Sequence, residues 1–107
     1  MKTRRLLSIF ILCLFCTLPL FSQVSTPHIF TDNMVLQRDA PVKVWGKAGK
    51  KESVTVTFNN TKVSTKADNN GNWSVTLKPM SWGGPYTLKV AGKSNALTFE
   101  NVLVGDV

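Results

Sequence analysis

Apolar and polar side chains alternate in short runs along most of the chain after residue 22. Val42 and Val44 flank Lys43 and lead into Trp45–Gly46. Val54, Val56 and Phe58 alternate with Thr55 and Thr57, and Trp73, Val75 and Leu77 alternate with Ser74, Thr76 and Lys78. Tyr86, Leu88 and Val90 alternate with Thr87 and Lys89, and Leu97 and Phe99 with Thr98 and Glu100. A period of two turns one apolar face inward and a Thr/Lys/Ser face outward, so each run predicts a half-buried antiparallel strand. No stretch after residue 22 sustains an i, i+3, i+4 repeat, so little helix is expected.

Turn residues separate the runs. Asp39–Ala40–Pro41, Gly46–Lys47–Ala48–Gly49, Asn59–Asn60, Asp68–Asn69–Asn70–Gly71 and Trp82–Gly83–Gly84–Pro85 all fall between them. Asn70–Gly71 carries the strongest hairpin signal, because a type I′ turn requires positive φ at both central residues. Short strands with turns at this spacing predict an all-β fold. The expected form is a small antiparallel β-sandwich of about seven strands, immunoglobulin-like or jelly-roll-like. The last run departs from the pattern. Asn101–Val102–Leu103–Val104–Gly105–Asp106–Val107 is nearly continuous apolar sequence, which predicts a strand buried on both faces, as in a parallel sheet.

The beginning of the chain obeys a different rule. Lys2, Arg4 and Arg5 precede an apolar run from Leu6 to Cys16, followed by Pro19 and the small Ser22. A basic start, a short apolar core and a small-residue exit describe a secretory signal peptide over residues 1–22, cleaved near Ser22–Gln23. The apolar run is too short before Pro19 for a membrane-spanning helix, which needs about 20 apolar residues. Leu12 and Phe15 stand where a lipid-anchor motif would want a small residue, so no stable membrane anchor is expected. The expected location is periplasmic or extracellular.

Composition changes meaning once that segment is set aside. The 107 residues carry a formal charge of +7, and losing Lys2, Arg4 and Arg5 reduces it to +4. Cys13 and Cys16 leave too, so their C-x-x-C spacing is neither a redox nor a zinc motif. About 85 residues remain, one small domain without a disulfide, held by its apolar core alone.

Candidate chemistry is sparse. Asp68–Asn72 resembles a calcium loop, but Trp73 and Pro79 occupy the places where an EF-hand needs Gly and Glu. His28 has no nucleophile or carboxylate placed to converge on it. Asp32 and Asp39 read as turn residues rather than a catalytic carboxylate pair. Lys47, Lys50 and Lys51 cluster in a turn, with Lys62 and Lys66 on an expected edge strand. Lysines on solvated faces and guarded edges account for them without nucleic acid. Trp82 and Tyr86, in the loop Pro79–Tyr86, are the candidate sugar contacts, against the alternative that Trp82 covers the end of the core. Gly105–Asp106 is followed by Val107, so no serine nucleophile stands there. No catalytic residue, cofactor or metal is expected in the chain.

Three segments resemble a known family. They are His28-Ile-Phe-Thr-Asp-Asn-Met-Val-Leu-Gln-Arg38 with Pro41-Val-Lys-Val-Trp-Gly46, Gly71-Asn-Trp-Ser-Val-Thr-Leu-Lys-Pro-Met80 with Gly83-Gly-Pro-Tyr-Thr-Leu88, and Asn101–Val107. Together, over residues 27–107, they resemble the N-terminal region of bacterial sialate O-acetylesterases of the SGNH-hydrolase class. The resemblance implies an exported serine esterase that removes O-acetyl groups from sialic acids or sialoglycans. It implies a β-sandwich accessory domain over residues 23–101 and the first strand of an α/β SGNH catalytic domain at residues 102–107. The family's nucleophile lies in a Gly-Gln-Ser-Asn segment shortly after the stretch matching Gly105–Val107, so the chain itself is expected to be inactive. The turn Lys47–Glu52 departs from the family's usual Pro-Gly. The rival expectation is a free-standing, non-catalytic carbohydrate-binding β-sandwich.

Overall fold

The computed structural model of the chain describes residues 23–107. The expected signal segment, with Cys13 and Cys16, lies outside the described residues. Seven strands follow one another: β1 (Val35–Gln37), β2 (Val42–Lys47), β3 (Ser53–Phe58), β4 (Thr61–Lys66), β5 (Asn72–Leu77), β6 (Gly83–Ala91) and β7 (Ala96–Gly105). The described part is all-β. Five strands, in the order β1-β7-β6-β3-β4, form one curled sheet, and β2 pairs with β5 in a second. The apolar positions of the alternating runs meet between the sheets. Val54, Val56, Phe58, Leu88, Val90 and Val102 come from the larger sheet, and Val44, Trp73, Val75 and Leu77 from the smaller, all buried in one core.

The larger sheet is mixed, which corrects the purely antiparallel expectation. β1 runs parallel to β7, with Val35, Leu36 and Gln37 opposite Leu103, Val104 and Gly105. The other pairings are antiparallel. Three residues are enough for β1 because its neighbours anchor it. Leu103 N–H donates to Met34 O at 3.0 Å, and Arg38 N–H donates to Gly105 O at 2.8 Å.

The terminal run is not buried on both faces. Val102 and Val104 are buried, whereas Leu103 between them is 41% exposed. The cause is a bulge. Tyr86 stands opposite Val102 and Leu88 opposite Phe99, so β7 holds one residue more than β6 across this interval. Asn101 takes it up in the left-handed region, at φ 57°, which Asn tolerates better than most residues. Its side chain donates to Asn33 Oδ1 at 2.7 Å, and Asp32 Oδ1 accepts the Glu100 N–H at 2.8 Å. The extra residue switches the inward phase from Phe99 to Val102, so two alternating half-strands read as one apolar block.

The hairpin signal also moves. Asn70–Gly71 joins β4 of the larger sheet to β5 of the smaller and is not a two-residue hairpin. Asp68 overrides the dipeptide: its carboxylate accepts N–H bonds from Asn70 at 2.8 Å and Asn72 at 2.9 Å. Bonding to the Asn72 and then the Asn70 amide holds that carboxyl below its ordinary range. Of the two residues, only Gly71 takes positive φ, at 80°. The tight β3–β4 connection is Asn59–Asn60, with φ values of 44° and 66°, and β3 and β4 pair directly on either side of it. Two consecutive positive φ angles are what a type I′ hairpin requires.

Candidate functional site

The loop from Pro79 to Trp82 connects the smaller sheet to β6. Trp82 is 76% exposed, an extreme value for a large apolar ring. The other tryptophans are held in the fold. Trp73 is buried and donates Nε1–H to Lys47 O at 3.0 Å, and Trp45 meets Phe30 edge-on at 5.0 Å between ring centroids. Tyr86 shares the inward face of β6 with Leu88 and Val90 and is half-buried. It packs edge-on against Phe58 at 5.3 Å between centroids. Trp82 therefore offers an open ring, while the Tyr86 ring is largely committed to the core.

A second surface gathers at the β1 end of the large sheet. Val35 and Leu103 stand opposite one another and are 40% and 41% exposed. Glycines flatten the ground beside them: a Cβ on Gly84 would lie 3.0 Å from Leu103 Cδ2, and one on Gly105 would lie 3.7 Å from Val35 Cγ1. Ile29, 65% exposed, shares a cleft with Val35, Met34 and Trp45. Val107, 86% exposed, donates its N–H to Gln37 Oε1 at 3.2 Å. This contiguous apolar face escaped the sequence reading because Leu103 counted as buried. The signal that could have found it was Asn101, a residue suited to a bulge, in the middle of an apolar run.

Asp32 caps the β7 bulge. Asp39 and Asp106 both accept from Arg38, at 3.1 and 3.0 Å, and the Asp106 hydrogen bond leads the causes that raise the guanidinium pKa further. These groups are solvated, so such pairs add little stability. His28 is exposed. Lys62 and Lys66 lie on β4, an edge of the sheet. Among the described residues no three His, Cys, Asp or Glu side chains gather in a cluster able to hold a metal ion.

No family model matches the chain, and no curated protein matches it. Among solved structures it is similar to a carbohydrate acetylesterase from Xanthomonas citri, with 39% sequence identity and a TM-score of 0.77. The match covers 78% of this chain and 19% of that one, so the chain spans about a fifth of that protein's length. The chain resembles a β-rich domain of a carbohydrate acetylesterase.

Proposed function

We propose that this chain is the N-terminal accessory β-domain of an exported serine esterase that removes O-acetyl groups from sialic acids. The observation that carries the reading is the match to about a fifth of a carbohydrate acetylesterase. The face of Val35 and Leu103 supports it, because a patch of this kind marks an interaction surface. In this reading residues 102–107 lead from the β-domain toward a catalytic α/β unit, and that unit packs on the apolar face. The sequence motifs shared with sialate O-acetylesterases favour sialic acid as the acetylated sugar. Hydrolysis needs a nucleophile, a base and oxyanion donors held together, and these belong to the catalytic unit. The purified chain is therefore expected to release no acetate from O-acetylated sialic acid above the uncatalysed rate. Acetate release abolished by replacing any residue of this chain would overturn that assignment of the chemistry.

Trp82 favours a second reading, a carbohydrate-binding domain without catalysis. Ring faces stack on sugar faces, and this ring is free to do so. Trp82 should then report sugar binding through its fluorescence, and Trp82→Ala should abolish the response while Trp45 and Trp73 continue to report an intact fold. Undiminished binding by Trp82→Ala would remove the site.

A further inference from the structure

A groove of about 890 Å³ lies away from both surfaces. It opens between the β2–β3 turn and the β6–β7 turn, and Lys50, Lys51 and Lys93 line it. All three lysines are exposed. The one carboxylate in the lining, Glu52, is engaged by backbone from both sides. Its Oε1 accepts the Gly49 N–H at 2.8 Å and its Oε2 the Lys93 N–H at 2.7 Å. Glu52 thus straps the two turns together and holds the lysine-bearing segments across the groove from one another. Ser53 and Ser94 add hydroxyls to the walls.

This placement differs from that of Lys62, Lys66 and Lys89, which stand on strands and point away from the core. Cationic groups around a concavity focus their field into it, where isolated lysines on a convex face are screened. Hydroxyls in the same lining as the charges suit a ligand that carries sugar hydroxyls beside its carboxylates. We propose that this groove binds an acidic oligosaccharide, one bearing a carboxylate on successive sugar units. The preference for an anion follows from the groove, and the choice of a carbohydrate rests on the function proposed above.

The test is calorimetric titration of the purified chain with a short oligogalacturonate, a neutral xylo-oligosaccharide of equal length, and a single-stranded oligonucleotide of matched charge. The oligogalacturonate is expected to bind at least ~10-fold more tightly than either control and to weaken as salt rises toward about 0.15 M. Lys50→Glu with Lys51→Glu should cost at least ~10-fold in affinity at an unchanged melting temperature, because both side chains are exposed. Lys50→Gln with Lys51→Gln should give a smaller loss, and Lys62→Glu with Lys66→Glu almost none. Absence of oligogalacturonate binding, or equal binding by the charge-reversed variant, would overturn the groove. An oligonucleotide bound as tightly as the oligogalacturonate, with the same dependence on Lys50 and Lys51, would overturn the carbohydrate assignment. Acetate release plays no part in these titrations, so failure of the groove and failure of the esterase reading are told apart.

Discussion

Phe58→Ala is expected to remove most of the domain's stability, at a cost of about 3–5 kcal/mol. Phe58 ends β3 at 1% exposure, facing the smaller sheet's side chains across the core, and the Tyr86 ring lies edge-on against it. Truncation removes the buried ring and leaves a cavity that strands fixed on both sides cannot close. A domain of this size has about 4–13 kcal/mol in total, and no disulfide among the described residues constrains the unfolded chain. Urea titration followed by the fluorescence of buried Trp73 is the measurement. The midpoint should fall steeply for Phe58→Ala and only modestly for Phe58→Leu, whose bulk fills most of the space. Equal midpoints for the alanine variant and the parent would mean that Phe58 is not central to the core.

Gly71→Ala should be nearly as damaging, for a different reason. Gly71 has φ 80°, where an L side chain costs about 1–2 kcal/mol. A Cβ there would also lie 2.4 Å from Ala48 O, far inside contact distance. Avoiding that clash would pull apart the Ala48 N–H bond to Gly71 O, 2.8 Å long, which ties the sheet-crossing turn to the end of β2. A loss of about 2–4 kcal/mol follows from strain and clash together. Asparagine separates the two causes. It relieves φ strain but still carries a Cβ, so Gly71→Asn should be almost as unstable as Gly71→Ala. Full stability of the asparagine variant would show that the contact with Ala48 is unimportant.

Strand positions were legible wherever one phase of alternation held from end to end, as in Val54–Phe58 and Trp73–Leu77. There the polar and apolar residues are sorted by a single face, and local sequence is sufficient. β7 resisted the same reading because a bulge reverses the phase in mid-strand, and its anchors, Asp32 and Asn33, are distant in sequence. β1 resisted because three residues hold little pattern, and their partner is the opposite end of the chain. Asn70–Gly71 misled because Asp68 supplies side-chain acceptors to the turn, an option that the dipeptide alone does not reveal. Trp82 was recognisable in a glycine-rich loop with no alternating neighbours. The groove beside Lys50 and Lys51 was half legible: the two lysines are adjacent, but Lys93 joins them only through the strap that Glu52 makes.

The pairing of β1 with β7 also sets when the domain can fold. Asp32 and Glu100, hydrogen-bonded to each other, are 68 positions apart, and β7 lies between β1 and β6 in the large sheet. A growing chain therefore lacks a strand in the interior of its sheet until residues 96–105 have been synthesised. Such distant closures make folding slow, on the scale of milliseconds to seconds. Partial chains leave the inner edge of β6 uncovered for the whole of that wait, so β7 is the strand that ends the risk of mispairing.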